Sequence, residues 1–204
     1  MSLKPQSEQQ HNIKQPQYLK ISAKKSKIQS EHISQCDVFQ DIEIIENFEI
    51  KKSLITVKKI SFPYIICLNQ ECDLETDYTT TNPEQCDKNM LHILIVPVFN
   101  FEQFLTGNHW GEIFSINAKQ KRKNTYIQKI MDNEIPRYHY LKFPEIDMPE
   151  LIIDFKHFFT INKEVLYNQI DKRMCSIDVL FRERINQRYT NYLSRIGLPV
   201  HKVT

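Results

Sequence analysis

From Cys36 onward the apolar positions of this chain come in short runs with a period near two. In CDVFQDIEIIENFEIKK (36–52) and SLITVKKISFPYIICLN (53–69) the enrichment in Ile, Val, Tyr and Phe predicts strands, whose successive side chains point to opposite faces. Pro63 stands at the start of the apolar end of the second run, where a missing amide donor is tolerated. ETDYTTTNPEQCDKNM (75–90) reads as a polar loop. LHILIVPVFNF (91–101) is continuously apolar and predicts a buried strand with Pro97 at its exit or at a bulge.

Over residues 101–134 the spacing becomes helical, with Phe101, Phe104 and Leu105 in one short piece and Tyr126, Ile127, Ile130 and Met131 in another. This reads as an insertion between strands. Strand patterns return in RYHYLKF (137–143) and ELIIDFKHFFTI (150–161). The last element is an amphipathic helix, in which Ile177, Leu180, Phe181, Ile185, Tyr189, Tyr192, Leu193 and Ile196 form one stripe. Ser176 is placed to cap it, Asp178 suits its positive end, and Gly197 then Pro199 stop it. Ahead of the first strand, residues 1–31 are rich in Gln, Lys and Ser and read as a flexible arm, leaving 32–204 as a single α+β domain.

Composition narrows the function classes. The chain has 204 residues, 41% of them hydrophobic, enough for one substantial core, and its formal net charge of +2 gives no general attraction to nucleic acid or acidic membrane. No apolar run approaches the ~20 residues that span a bilayer, and the polar start lacks a signal-peptide core, so a cytoplasmic protein is expected. Five cysteines are an odd number at low density, which points to reduced thiols. The only glycines are Gly107, Gly111 and Gly197, so no glycine loop is available to cradle phosphate and neither a P-loop nor a Rossmann site is expected.

The strand order, through CDVFQDIEII, FPYIICLN and LHILIVPVFN, resembles that of the MazF-type toxin ribonucleases. That resemblance implies a partly open SH3-like β-barrel carrying the helical insertion and the closing helix. Where those toxins place an arginine before the proline this chain has Phe62, and after Pro97 it has Val98 and Phe99 instead of a hydroxyl residue. The resemblance therefore extends to the barrel and not to the ribonuclease activity. The chain also resembles an uncharacterised group of bacterial proteins through Gln70-Glu71-Cys72-Asp73-Leu74, Arg137 to Leu141, Ile153-Asp154-Phe155 and Arg195-Ile196-Gly197-Leu198-Pro199. This second resemblance marks a site without naming its chemistry.

Within the marked segment, Gln70 and Cys72 share one side of an extended chain, and together with Asp73 and Arg137 they are the candidate ligand-binding residues. The structural alternative is a buried cysteine beside a turn-capping aspartate. The catalytic alternative makes Cys72 a nucleophile with His139 as base, although Asp73 beside the thiol works against ionisation. Asp154, inside an apolar run, needs a partner such as Arg137 or, for acid catalysis, a second carboxylate such as Asp73. Cys67, Cys72, Cys86 and His92 crowd one region, but the spacing of Cys67 and Cys72 suits opposite faces of a strand, so no metal and no cofactor are expected. Lys119, Lys121, Arg122 and Lys123, with Arg184 and Arg188 on the final helix, are the residues that would contact nucleic acid; a protein partner or a second copy are the other partners considered. These features favour a binding or interaction module of a bacterial toxin-related, stress or defence system over an enzyme using Cys72 as nucleophile or a nuclease-like barrel pocket.

Overall fold

The computed structural model describes residues 31–52, 54–114, 122–144 and 147–195. Most of the expected arm, Lys119, Lys121 and the Gly197–Pro199 stop lie outside them. The strands are β1 (Asp37–Lys51), β2 (Leu54–Cys67), β3 (His92–Asn100), β4 (Tyr138–Leu141), β5 (Leu151–Asp154), β6 (Phe159–Asn162) and β7 (Arg173–Ser176). The helices are α1 (Glu71–Thr79), α2 (Phe101–Thr106), α3 (His109–Phe114), α4 (Asn124–Met131), α5 (Lys163–Tyr167) and α6 (Val179–Leu193). The architecture is α+β, with all strand pairs antiparallel in the order β4-β5-β3-β2-β1-β7 and β6 added to β3. The end strands β4 and β7 are not hydrogen-bonded neighbours, so the sheet is not closed into a barrel.

Two local devices shape this sheet. Asp41 has φ 51°, and the pairings Gln40↔Tyr64 and Ile42↔Phe62 bracket it opposite Pro63. Alternation slips there: Phe39 and Ile42, three residues apart, face the same core, as do Phe62 and Ile65 across the ribbon. On β3, Val98 to Asn100 pair with β5, whereas His92 to Ile95 pair with β6. Pro97 falls in the gap between those two partners, where its missing donor is tolerated.

One face of the sheet packs Val38, Ile66, Val98, Ile153 and Phe155 beneath Ile185 and Tyr189 of α6. The other face carries two clusters, one around Phe39, Phe62, Ile95 and Leu74, the other joining Phe99, Phe101, Phe104, Ile130, Tyr138 and Ile152. The helical segments α2, α3 and α4 do fall between β3 and β4, and the second of those clusters is how α2 and α4 dock on the sheet.

At the strand that leads into α6, Asp37 is fully buried. Its carboxylate accepts from the Ser34 amide (2.8 Å), from Arg173 Nη1 (2.8 Å) and from the Ser176 hydroxyl. Arg173 Nη1 also donates to the His32 carbonyl at 2.6 Å. Burial pushes the Asp37 carboxyl up, against the downward pull of Ser176, Arg173 and the Ser34 amide. Ser176 is thus engaged with Asp37, and the α6 cap is Asp178, which accepts from the Leu180 amide at 3.2 Å. The predicted stripe also narrows. Ile185 and Tyr189 are buried and Phe181 and Tyr192 are partly so, but Leu180 is 80% exposed because it lies in the first turn, turned away from the sheet.

These burials set a testable contrast. Ile185→Ala should lower the free energy of unfolding by about 2–5 kcal/mol through lost burial and a cavity, whereas Leu180→Ala should stay within about 0.5 kcal/mol. Paired denaturant melts check it, and equal losses at the two positions would contradict the packing of α6.

Candidate functional site

The segment Gln70-Glu71-Cys72-Asp73-Leu74 leaves the strand and starts a helix. Gln70 is the N-cap of α1, in extended backbone with no side-chain cap bond, and Leu74 turns into the core. The expected strand-like sharing of one side by Gln70 and Cys72 is replaced by a helical start, for which the acidic first turn of Glu71 and Asp73 suits the positive helix end. Asn69 makes the exit possible: its side chain accepts from the Leu94 amide at 2.6 Å, ending the strand beside β3.

Between the start of α1 and one flank of α6 lies a cleft of about 490 Å³, lined by Gln35, Gln70, Glu71, Cys72, Glu183, Asn186, Gln187 and Thr190. Glu71 builds it. Its carboxylate accepts from the Gln35 amide at 2.6 Å and from Arg182 Nη1 at 3.1 Å, so one side chain joins the lead-in to β1, the start of α1 and α6. Cys72 is exposed, and its thiol lies 3.7 Å from Gln70 Oε1 and 3.7 Å from Asp73 Oδ1. Asp73 is exposed, and the hydrogen bonds expected of it at a strand exit are made instead by Glu71 and, further along α1, by Asp77, which accepts from the Met90 amide (2.5 Å) and Lys163 Nζ (2.7 Å).

The remaining candidates are held elsewhere. His139 is buried on β4 beside Phe155, with Arg184 and Arg188 of the other flank of α6 nearby, and it makes no hydrogen bond with Cys72. Burial, helped by those two arginines, pulls its imidazole down to about 3. Asp154 is buried and gripped by the Arg137 fork, with Nε to Oδ1 at 2.7 Å and Nη2 to Oδ2 at 2.5 Å, plus the Lys156 amide at 3.1 Å and His157 Nε2 at 3.7 Å. Asp73 lies in the first turn of α1 and Asp154 at the end of β5, and no hydrogen-bond partner is shared between them. Arg137 is committed to Asp154 at the β4–β5 end of the sheet and does not line the cleft.

The thiols are similarly dispersed. Cys67 is sealed in the core, where burial pushes its pKa up, while Cys72 and Cys86 are exposed and His92 lies at the start of β3. Among the described residues no group of three or more His, Cys, Asp or Glu side chains gathers as a metal cluster. Cys36 donates its amide to the Cys67 carbonyl at 2.9 Å, yet the two side chains enter cores on opposite faces of the sheet. Burial also pushes Cys175 up to about 12.

Of the basic residues considered for nucleic acid, Arg122 stacks 4.2 Å from the Phe104 ring, and Arg188 Nη2 donates to the Ile135 and Tyr138 carbonyls at 2.8 and 2.7 Å. Among the described residues no helix is long and apolar enough to cross a membrane.

Sequence reasoning missed Glu71, Asp37 and α6 as a wall of the cleft. Glu71 had a local signal, an acidic side chain at a helix start, which only a helical reading of this segment exposes. Comparison with known proteins adds no family: no family model matches the chain, and no curated protein matches it.

Two measurements follow. Glu71→Ala should cost about 1.5–3 kcal/mol, the range for hydrogen bonds to a charged group, while Asp73→Ala should cost less than about 0.5 kcal/mol. For His139, the unfolded chain takes up a proton near pH 6.5 and the folded one only near 3. The unfolded state therefore binds more protons between those values, and stability falls as pH drops. From pH 7 to pH 5 this group alone should remove about 2 kcal/mol, and His139→Leu should reduce the pH slope by that amount in urea melts.

Proposed function

We propose that the protein is a binding module whose cleft between α1 and α6 takes a hydrogen-bonding segment of a protein partner, with amide or cationic groups entering among the lining side chains. The observation that carries this reading is the lining itself: amides from Gln35, Gln70, Asn186 and Gln187, a hydroxyl from Thr190, and carboxylates from Glu71 and Glu183. Such walls offer many neutral donors and acceptors and a negative bias, which suits main-chain amides or an amine better than a phosphate or carboxylate.

The enzyme reading with Cys72 as nucleophile is weaker on chemical grounds. A thiol nucleophile is served by a positioned base such as histidine, and the groups within reach of this thiol are the Gln70 amide oxygen and the Asp73 carboxylate, while His139 makes no bond with it. The carboxylate of Glu71 is already shared by a backbone amide and Arg182. Nucleic acid is the lesser partner in our reading, because Arg122 and Arg188 have intramolecular engagements. The slip in alternation at Asp41 and Pro63 supports reading the sheet as a strongly bent, partly open barrel of SH3-like kind. The resemblance to the MazF-type toxins and to the bacterial group sharing the Gln70–Leu74 motif supports a toxin-related, stress or defence setting in our reading, with the module acting in the cytoplasm.

The test uses Cys72 as reporter. A fluorophore on Cys72, in a Cys86→Ser background, is titrated with arrays of lysine-bearing, amide-rich peptides and with acidic peptides of equal length. Saturable binding confined to the first set, weakened at least tenfold by Asn186→Trp or Gln187→Trp, is the expected outcome. Iodoacetamide alkylation of the unlabelled protein at pH 7 supplies the opposing outcome: a Cys72 that reacts far faster than free cysteine would defeat the binding reading in favour of a nucleophile.

A further inference from the structure

Beyond the sheet, β1 and β2 continue as a two-stranded ribbon. β7 pairs β1 only from Asp37 to Phe39, and β3 pairs β2 only from Tyr64 to Cys67. Past Ile44 and Ile60 no third strand pairs with the ribbon among the described residues, and the register runs Ile45↔Lys59, Phe48↔Val57 and Ile50↔Ile55. An isolated hairpin of this kind is at best marginally stable in water and gains from a covered face.

The two faces of the ribbon differ. A register shift between Ile45 and Asn47 gives β1 one extra residue, and because of it Ile45, Phe48 and Ile50 lie on one side although 45 and 48 differ in parity. Ile55 and Val57 lie on the same side, and these five apolar residues are exposed, between 45% and 64%. Lys59, opposite Ile45, borders that side with its amine paired to Glu43. The opposite side carries Asn47, Glu49, Lys51, Leu54, Thr56 and Lys58, polar except for Leu54, until it merges with the core at Ile60 and Phe62. The bulge thus collects an apolar face that a regular strand would have divided, in a place where the core does not use it.

We propose that this face is the interface of a homodimer, in which the ribbon of one copy packs its Ile45, Phe48, Ile50, Ile55 and Val57 face on the same face of a second copy. Area supports it first. The five side chains expose about 600 Å², at the top of the range for the largest patch on a monomer. A twofold pairing of that patch with itself buries at most about 1,200 Å² from these side chains, which reaches the lower bound for a specific, stable interface. Charge supports it second. The ribbon's three carboxylates, Glu43, Glu46 and Glu49, pair with Lys59, Lys58 and Lys51 on the ribbon itself, so four lysines leave only a slight positive excess. A polyanion finds few uncompensated cations there, and a second copy meets little repulsion. Shape supports it third, since a twofold contact is self-complementary and apolar sheet faces stack about 10 Å apart. This inference is independent of the cleft.

The test is sedimentation equilibrium on the full chain, from about 1 to 100 µM, which resolves micromolar dissociation constants. Wild type should fit a monomer–dimer equilibrium, and Phe48→Glu should raise the dissociation constant at least 100-fold. Phe48→Thr with Ile50→Thr keeps strand-forming side chains and should do the same with an unchanged circular dichroism spectrum, which separates loss of the interface from loss of the fold. A wild type that stays monomeric throughout overturns the proposal, as does a dimer unaffected by either variant. A third overturning result is a mixed-sequence DNA duplex that binds wild type and is released by the threonine variant, because the face would then belong to nucleic acid.

Discussion

The carboxylate of Asp37 is the constraint on which the arrangement around the cleft depends. It is fully buried at the first residue of β1, and its ionised form is tolerable only because Ser34, Arg173 and Ser176 all aim donors at it. Two of those donors come from β7, the short strand immediately before α6. Fixing β7 to β1 fixes where α6 begins, and the Ile177 amide, donated to the Cys36 carbonyl at 3.4 Å, continues the same attachment. With the helix start anchored, Arg182 reaches Glu71 and the wall of the cleft is set. An apolar residue at position 37 would take the Asp37 carboxylate away from the Arg173 guanidinium, which is almost wholly buried.

A similar logic governs the far end of the sheet. Between β5 and β6 the chain loops out over residues 155–158, and Asp154 sits at the last position before that departure. Arg137, immediately ahead of β4, grips it with both arms of its fork, while its carbonyl accepts from the Phe155 amide at 3.0 Å. Each end strand of the β4-β5-β3-β2-β1-β7 order is therefore tied by a buried aspartate to an arginine, one at each end of that order. Asn133 clamps the turn into β4, with φ 57° and its side chain exchanging bonds with both backbone groups of Tyr140.

Much of the fold was legible because it follows from periodicity. Alternation gave β1 and β2, the unbroken apolar run gave β3, and the change to helical spacing located α2 and α4. Two features were hidden for physical reasons. The helix α1 has an almost unsegregated sequence, ECDLETDYT, in which only Leu74 and Asp77 are buried, so no stripe betrays it. Leu180 failed in the opposite sense, since its spacing matches the stripe but the first turn of α6 stands clear of the sheet. The candidate site was half legible. Gln70 and Cys72 do border a concave surface, while His139, Asp154 and Arg137 belong to the β4–β5 end. Those three attracted attention as titratable groups in apolar runs, and that chemistry is as typical of structural pairing as of catalysis. The opposing wall of the cleft comes from a helix more than 100 residues later, 111 positions from Glu71 in the case of Arg182, and distance along the chain of that order leaves no local mark.

The separation of Asp37 and Arg173 by 136 positions has a consequence for the order of events during synthesis. The β1–β2 ribbon is made of neighbouring segments and can form as soon as both have left the ribosome. The outer edge of β1 cannot be completed until β7 emerges, which at roughly 5–20 residues per second is on the order of ten seconds later. Throughout that interval the nascent chain presents an unpaired strand edge and an uncompensated buried-site aspartate. The charge that fixes the finished sheet also keeps the unfinished edge wet, since a hydrated carboxylate at position 37 opposes the recruitment of a foreign strand.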